Sequence, residues 1–554
     1  MEERACRNDS AASLKEQTMR RIFGVGALAL SLCVATAALA DPPSDFDARV
    51  ARIADEVGVP GVSVAIVENG RVTLARGYGV RQLGGTARVD SDTIFQIGSV
   101  SKAFTAAALA RLVDNGRIRW DDRVIDHVPY FQMYDPWVTR EMRIRDLLVH
   151  NSGLGLGAGD LLVIPRSTRS REDVVRALRH IEPAASFRSA YAYDNVLYIV
   201  AGQLIEEVSG KSWEQFVHED LLVPAGMRTA TSERVQRRLN ENRAWPHGRR
   251  DGPMFGMGTQ EMLDDSGRAE FDPDITGVGA PAGGVAASAN DMARWLSIQL
   301  ARGELPEGGR LFSEAASREM WTPRIHVPIA AFPEPVSAAT PQFDSNALGW
   351  MERDYQGHRL LMHTGAVFGA QAIVMLIPER DIGFAIMINS EDGEAAYGLA
   401  YRLLDHYLGQ PDYDWGAAWQ QFVRERDERA VAFLASRSEV AAGAGAPSRP
   451  LQSYAGAFRD AWYGPVTIGH ADGRLAMDFT LTPGMTGELT PWRYDTFRVS
   501  WRDPIIEPAY VTFVFDADGA VERITMQPIS PLADFSFDYK DLDLRPAPPT
   551  DGSR

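Results

Sequence analysis

The sequence predicts an α+β protein in which one sheet is assembled from the two ends of a large domain, covered by helices and faced by a helical region, and followed by a small all-β domain. Strand patterns occur near the start and near the end of the large domain, with helical patterns between them. A segment rich in Ala, Gly, Ser and Pro at 436–450 indicates a linker. We therefore expect a large domain at 41–435, a β-domain at 451–546 and a tail at 547–554, a division that suits a chain of 554 residues.

The first predicted elements are a hairpin and a long helix. A β-rich run at 62–67 and an alternating run at 72–75 flank Asn69-Gly70, a strong two-residue turn signal. From Ser99 to about Asn115, apolar residues recur on a helical period, and Gly116 follows as a stop signal.

The later elements follow in the same way. Helical periods occur at 196–208, 290–301 and 394–408, and strand patterns occur at 359–364, 371–377 and 382–389. Beyond the linker the pattern is all β, with strand runs at 466–468, 475–479, 496–501, 511–515 and 521–526. Asp472-Gly473 and Asp518-Gly519 are turn signals between pairs of these strands, so we expect a small sandwich or barrel.

Composition and charge exclude several classes of function. With 57 Lys and Arg against 74 Asp and Glu, the net charge of −17 argues against nucleic acid or an anionic membrane as partner. A chain with 45% apolar and 24% charged residues is typical of globular proteins, which excludes a disordered or collagen-like chain. The ten histidines show no H-E-x-x-H or H-x-H spacing, so a metal site has no local support and we expect no metal or other cofactor.

Residues 1–40 carry the pattern of an N-terminal extension and signal peptide. Met19-Arg20-Arg21 precedes an uncharged apolar run at 22–39, and Ala38-Leu39-Ala40 before Asp41 is a small-x-small cleavage pattern. We expect a periplasmic or secreted protein cleaved near Ala40, with Met19 as a second candidate start. A membrane anchor is the weaker alternative, because the run is rich in Ala and Gly and has no stop-transfer flank. The general secretory and twin-arginine routes both stay open.

Both cysteines, Cys6 and Cys33, lie within this signal. Cleavage near Ala40 would leave no thiol, no disulfide and no cysteine metal site in the mature protein. No stable membrane anchor would remain after cleavage either.

The most informative motif is Ser99-Val100-Ser101-Lys102, at the start of the predicted long helix. Residues three apart on a helix share a face, so the Ser99 and Lys102 side chains would be within reach of one another. The helix start would stabilise an oxyanion, and desolvation would lower the pKa of Lys102 so that it serves as a base. Lysine is scarce here, since the chain has only four: Lys15, Lys102, Lys211 and Lys540. The alternative is a helix N-cap serine beside a surface lysine.

Two further segments carry groups suited to catalysis. Tyr193 and Asn195 lie two apart before a predicted helix, and would offer a phenol for proton transfer and an amide to hold Lys102 or a substrate carbonyl. The alternative is a turn whose Asn caps the helix. His363-Thr364-Gly365-Ala366 ends a predicted strand, where a glycine admits close approach and the strand edge could bind an extended substrate.

Together and in this order, these segments resemble those of the serine β-lactamase and penicillin-binding-protein-like family, of the class C β-lactamase and D-peptidase type. The resemblance covers about 47–408 and is supported by the phrases at 61–65, 147–154 and 282–285. It implies an antiparallel sheet flanked by helices plus a helical region. The region at 451–541 is similar to the small β-domain appended to many members, including aminopeptidase-like ones.

The resemblance also implies roles for individual residues. Ser99 would be the acylated nucleophile, and Lys102 and Tyr193 would share proton transfer. Asn195 would orient the site. The substrate-binding strand would contain His363, Thr364 and Gly365. The N–H groups of Ser99 and Ala366 would form the oxyanion hole.

The sequence departs from the β-lactamase pattern in two places. His363 stands where β-lactamases usually have Lys, as it does in some D-peptidases, D-aminopeptidases and esterases, and the missing cation disfavours efficient β-lactam hydrolysis. Asp194 stands where Ser is common, and the sequence offers no physical reason for it. We interpret His150 as a structural histidine rather than a triad base. The chain has no G-x-S-x-G elbow, which counts against an α/β-hydrolase.

These observations predict an exported serine hydrolase that works through an acyl-enzyme on amide bonds of small peptides with a D-residue, such as D-Ala, before the scissile bond. It would be like a D-peptidase, a carboxypeptidase or an aminopeptidase, and linearised microcystin is a narrower candidate substrate. The alternatives are a carboxylesterase, a weak β-lactamase and, from another class, a penicillin-binding sensor that does not hydrolyse. A small peptide or ester would be the partner, and the chain could form a homo-oligomer.

Overall fold

The computed structural model describes residues 41–254, 256–263, 277–441 and 445–548. The predicted signal peptide, with Cys6 and Cys33, lies outside the described residues, as does most of the predicted tail. Within the described ranges, no helix is both long enough and apolar enough to cross a membrane.

The first part of the chain contains the following elements. Its strands are β1 (Gly61–Glu68), β2 (Arg71–Gly79), β3 (Phe95–Gln96), β4 (His247–Asp251), β5 (Gly258–Met262), β6 (Ala286–Ala287), β7 (Ile325–His326), β8 (Asp344–Asn346), β9 (Met351–Tyr355), β10 (His358–Val367), β11 (Ala370–Ile377) and β12 (Ile382–Ile388). Its helices are α1 (Phe46–Val57), α2 (Ser101–Asp114), α3 (Val124–His127), α4 (Pro136–Glu141), α5 (Arg171–Ala177), α6 (Val196–Ser209), α7 (Trp213–Val217), α8 (Val223–Ala225), α9 (Arg234–Leu239), α10 (Ala280–Gly283), α11 (Ala289–Leu300), α12 (Glu314–Met320), α13 (Gly393–Leu408) and α14 (Trp415–Ala441).

Eight strands of the described chain form the main sheet, in the order β2-β1-β12-β11-β10-β9-β8-β7, with every neighbouring pair antiparallel. The N-terminal hairpin pairs directly with β12, so the two ends of the large domain meet in one sheet, as predicted. Asn69 and Gly70 turn the hairpin with φ of 50° and 71°, the positive values that a tight two-residue turn needs.

The central strands of this sheet are covered on both faces. All residues of β1 and β12 are buried. On one face Val62, Val64 and Ile66 join a core with α1 and α13, while on the other Ala65 and Val67 join the core that contains α11. Burial on both faces explains why these strands are uninterrupted apolar runs rather than alternating ones.

Helix α2 lies at the centre of the helical region. Ten consecutive residues, 101–110, are buried, because α2 is packed on all sides. Its Phe104 stacks on Trp295 of α11, with ring centroids 4.0 Å apart. The predicted α+β architecture is therefore confirmed, and the helix that carries Lys102 is buried along its first ten residues.

The C-terminal part is all β, as predicted. Its strands are β13 (Gly456–Asp460), β14 (Gly464–Ala471), β15 (Arg474–Asp478), β16 (Thr486–Arg493), β17 (Thr496–Trp501), β18 (Ala509–Phe515), β19 (Val521–Pro528) and β20 (Arg545–Pro546). They follow one another in the sheet, with β20 beside β13, and a bridge between Ile524 and Leu544 joins the two ends of the sheet into a barrel.

The main difference from the predicted organisation concerns the linker. Helix α14 (Trp415–Ala441) runs through the first six residues of the segment predicted as a linker at 436–450. The apolar stripe with which α14 begins is interrupted by a charged run at 424–429, and an apolar stripe is the signal that helix prediction depends on. The many Ala, Glu and Arg residues of α14 favour a helix locally. The described residues after 40 form one compact unit, so the barrel packs directly on the large domain.

The stacked Phe104–Trp295 pair offers a test of this core. Replacing Trp295, which is fully buried, with Ala should lower the free energy of unfolding by about 3–5 kcal/mol, because the cavity left behind cannot collapse fully. Trp137→Ala is the matched control, since Trp137 is 51% exposed and should change stability by less than about 1 kcal/mol. Urea unfolding followed by circular dichroism measures both, and equal losses would contradict the packing described here.

Candidate active site

Ser99 lies in a short 3-10 turn, Gly98–Val100, that leads from β3 into α2. Strand β10 passes so close to this turn that a Cβ on Gly365 would lie 1.9 Å from the carbonyl oxygen of Ile97. A Cβ on Gly98, whose φ is +50°, would lie 2.7 Å from the amide nitrogen of Ala366. Only glycine at both positions lets the two backbones touch, so the structure brings Ser99 and the end of β10 together.

The side chain of Lys102 is fully buried beneath Ser99. Its Nζ donates to Asn195 Oδ1 at 2.7 Å and to the carbonyl oxygen of Ala282 at 2.9 Å, and lies 3.1 Å from Ser99 Oγ. Burial lowers the pKa of Lys102 to about 7, although the negative charges of Asp160 and Asp194 oppose the change. A large fraction of Lys102 is therefore uncharged near neutral pH, with a lone pair within reach of the serine hydroxyl.

Asn195 is held from its other side by Asp160. The Asn195 side-chain nitrogen donates to Asp160 Oδ2 at 2.8 Å, and the same oxygen accepts a hydrogen bond of 2.8 Å from Ser536 Oγ in the barrel domain. Burial raises the pKa of Asp160 to about 7, while these two hydrogen bonds and the Lys102 charge oppose the rise. Neither Asp160 nor Ser536 is recognisable from sequence alone, because their partners lie far away along the chain.

Tyr193 completes the group around Ser99. Its ring centroid is 4.8 Å from Lys102 Nζ and 4.2 Å from the centroid of the His150 ring, and the edge of Phe535 from the barrel domain packs against it. Burial raises the pKa of the Tyr193 phenol well above its usual value, and a hydrogen bond with the Ser99 side chain opposes the rise. The phenol is therefore protonated at neutral pH.

His363, Thr364, Gly365 and Ala366 all belong to β10, as predicted. The tight β10–β11 hairpin pairs Val367 with Ala370, so the alternation of an antiparallel ladder turns the Ala366 N–H away from β11 and toward the Ser99 turn. His363 is buried, with Nδ1 2.6 Å from the carbonyl oxygen of Thr364, and burial lowers its pKa to about 3. The ring is therefore uncharged and supplies no cation to the site.

The structure supports the interpretation of His150 as a structural residue. Its Nδ1 accepts the Asp194 N–H at 3.2 Å, and its main-chain carbonyl oxygen accepts the N–H of Ala192. The loop that carries Tyr193 is therefore braced on His150. The structure also gives a physical reason for Asp194. Its side chain accepts hydrogen bonds from Ser152 Oγ and from the Leu197 N–H at the start of α6.

A cavity of about 410 Å³ opens beside Ala366. Both domains line it, with Val163, Ile164 and Phe368 from the large domain and Leu532, Ser536 and Phe537 from the barrel. Within the described residues, no cluster of three or more His, Cys, Asp or Glu side chains has the arrangement of a metal site.

The chain belongs to the beta-lactamase family, whose sequence model matches residues 46–408. A second model, a domain of unknown function (DUF3471), matches residues 441–546. The family is one of serine hydrolases with the beta-lactamase fold, which agrees with the resemblance inferred from Ser99, Lys102 and the strand element.

Several individual proteins are similar to this chain. The unguisins hydrolase ungD of Aspergillus violaceofuscus is 29% identical over 466 residues, which are 78% of this chain and 77% of that protein. Protein flp of Staphylococcus aureus strain MW2 is 23% identical over 335 residues, 60% of each chain. The structure of an octameric penicillin-binding protein homologue from Pyrococcus abyssi has a TM-score of 0.57 and 21% identity, and covers 90% of this chain and 99% of that one, which supports the fold.

The contact between β10 and the Ser99 turn offers a second test. Gly365→Ala should lower the midpoint of thermal unfolding and slow labelling of Ser99 by a fluorophosphonate at least about tenfold, because the new Cβ forces the two backbones apart. Gly469→Ala in β14 is the matched control, since a Cβ there meets nothing within 4 Å. Unchanged labelling in Gly365→Ala would contradict the contact.

Proposed function

We propose that this chain hydrolyses amide bonds of small peptides through an acyl-enzyme on Ser99. The observation that carries the proposal is the fully buried Lys102, whose Nζ lies 3.1 Å from Ser99 Oγ and whose pKa is lowered to about 7. A lysine in this state accepts a proton at neutral pH, which is what a serine nucleophile needs.

In the proposed mechanism, Lys102 removes the proton from Ser99 Oγ as the oxygen attacks the substrate carbonyl carbon. The N–H groups of Ser99 and Ala366 stabilise the negative charge that develops on the carbonyl oxygen. Collapse of the tetrahedral intermediate breaks the C–N bond, and the leaving amine takes a proton. Water then attacks the acyl-enzyme by the reverse path and regenerates Ser99.

Lys102 and Tyr193 would divide the proton transfers between them. Because burial keeps the Tyr193 phenol protonated and near Ser99, Tyr193 is suited to deliver a proton to the leaving nitrogen, while Lys102 acts first as base. The carbonyl oxygen of Ala282 and the amide of Asn195 hold Lys102 in place through both steps.

Three observations support a small substrate other than a β-lactam. The name of the unguisins hydrolase describes a relative that acts on unguisins. The cavity of about 410 Å³ beside Ala366 has room for a small substrate. His363 is uncharged, so the site lacks at this position the fixed cation of β-lactamases. The preference for a D-residue before the scissile bond rests on the resemblance. Linearised microcystin is a candidate because it is a peptide cleaved after a D-alanine and because this chain has two domains.

A substrate panel separates this proposal from its alternatives. Turnover of D-Ala peptides or linearised microcystin above that of p-nitrophenyl esters and nitrocefin supports the peptidase. Turnover of the esters alone would identify a carboxylesterase, and rapid nitrocefin hydrolysis a β-lactamase. A permanent penicillin adduct on Ser99 without turnover, seen by intact-mass analysis, would identify a sensor.

The proposal also covers export of the protein and its assembly into an oligomer. We expect cleavage near Ala40 and a periplasmic or secreted enzyme, which N-terminal sequencing of the secreted protein would test. The octameric homologue from Pyrococcus abyssi supports a homo-oligomer, which light scattering would test.

Ser99→Ala should abolish turnover of every acyl substrate and remove the fluorophosphonate adduct, because no other group replaces the nucleophile. Ser453→Ala, in the barrel domain, is the control and should leave both unchanged. Full turnover by the Ser99 variant would contradict the proposed mechanism.

The pH dependence follows from the lowered pKa of Lys102. Protonated Lys102 cannot accept the Ser99 proton, so kcat/KM should fall as the pH falls through about 7, and level off above it. The negative charges of Asp160 and Asp194 hold the pKa of Lys102 up, against the effect of burial.

Lys102→Ala should reduce kcat/KM by about 10²–10⁴-fold and remove this dependence. Lys211→Ala is the matched control, because Lys211 pairs at the surface with Glu219 and Asp220. A profile of Lys102→Ala that keeps the wild-type shape would assign the titration to another group.

A further inference from the structure

A continuous chain of hydrogen bonds leads from the barrel domain to the nucleophile. Ser536 Oγ donates to Asp160 Oδ2 at 2.8 Å, and the same oxygen accepts from the Asn195 side-chain nitrogen at 2.8 Å. Asn195 Oδ1 accepts from Lys102 Nζ at 2.7 Å, and Nζ lies 3.1 Å from Ser99 Oγ. The four residues behind Ser99 are all at least nine-tenths buried, so water does not compete for these bonds.

The direction of these bonds fixes the orientation of the Asn195 amide. Asp160 Oδ2 accepts hydrogen bonds from both Asn195 and Ser536, so it holds the nitrogen of the Asn195 amide and leaves the amide oxygen facing Lys102. If the amide were reversed, its NH₂ group would face the Lys102 amine and the lysine would lose an acceptor. The orientation of Asp160 therefore decides how Lys102 is held.

The loop that carries Ser536 is anchored independently of this hydroxyl. Both oxygens of Asp538 accept backbone N–H groups of the large domain, from Gly159 at 2.7 Å and from Leu161 at 3.1 Å. A Cβ on Gly157 would lie 2.5 Å from the carbonyl oxygen of Phe535, which shows how closely the two backbones approach. Loss of the Ser536 hydroxyl should leave the loop docked.

We propose that Ser536 of the barrel domain is a positioning residue for catalysis, which acts by holding Asp160 in the orientation that directs the Asn195 oxygen to Lys102. This proposal rests on the proposed hydrolase function. The barrel domain then contributes to proton transfer, because Ser536 is the hydrogen-bond donor at the far end of the chain of residues that holds Lys102.

Ser536→Ala tests the proposal with p-nitrophenyl acetate and a fluorophosphonate as probes. We expect kcat and the labelling rate to fall about tenfold, because Lys102 is less well held. KM should change much less than kcat, because Ser536 lines the cavity but is more than nine-tenths buried, with its hydroxyl bonded to Asp160. Ser536→Thr, which keeps a hydroxyl, should restore most of the rate. The midpoint of thermal unfolding should move little in either variant.

Ser530→Ala is the matched control in the same loop. Ser530 is also buried, but its hydroxyl accepts only the local Leu532 N–H. A fall in kcat equal to that of Ser536→Ala would overturn the proposal, because it would assign the effect to the fold of the loop. A Ser536→Ala rate within twofold of wild type, with Ser99→Ala inactive, would overturn it and leave the hydrolase function standing. An active Ser99→Ala would instead overturn the function itself.

Discussion

The burial of Lys102 is the constraint on which the rest of the site depends. A lysine ammonium is costly to remove from water, so the surrounding structure must either neutralise the side chain or supply it with hydrogen-bond acceptors. Here both occur, because burial favours the uncharged amine and the oxygens of Asn195 and Ala282 receive its N–H groups. The faces of Tyr193 and Tyr198 border the same amine.

The burial of Lys102 requires that helix α2 be enclosed and that strand β10 lie against the Ser99 turn. The first ten residues of helix α2 are all buried, so Lys102, its second residue, is shielded from solvent. Strand β10 closes the site from above because Gly98 and Gly365 allow backbone contact. The position of β10 in turn depends on the pairing of β11 with β12 and of β12 with β1, which ties the site to both ends of the large domain.

Local patterns of the sequence predicted most of this architecture. The Asn69-Gly70 hairpin, the helix after Ser99 and the strand predicted at 359–364 all have short-range signals, and each lies where those signals place it. Ser99, Lys102 and Tyr193 could be picked out from the sequence because their motifs resemble those of a known family. Helix α14 was not predicted, because a charged run at 424–429 interrupts its apolar stripe.

The Asp160–Ser536 contact could not be predicted from the sequence for a different reason. These residues are 376 positions apart, and nothing local to either one indicates a partner. Asp160 lies between Gly159 and Leu161 in an apolar stretch, which in hindsight is an unusual place for a carboxylate.

The same separation sets the order in which the site can be made. Ribosomal synthesis proceeds from the N-terminus, so Ser99, Lys102 and Tyr193 are all present long before Ser536 has been added. The network behind the nucleophile closes only when the barrel has folded onto the large domain. A nascent chain that has not yet reached residue 536 therefore carries the reactive residues without their full support.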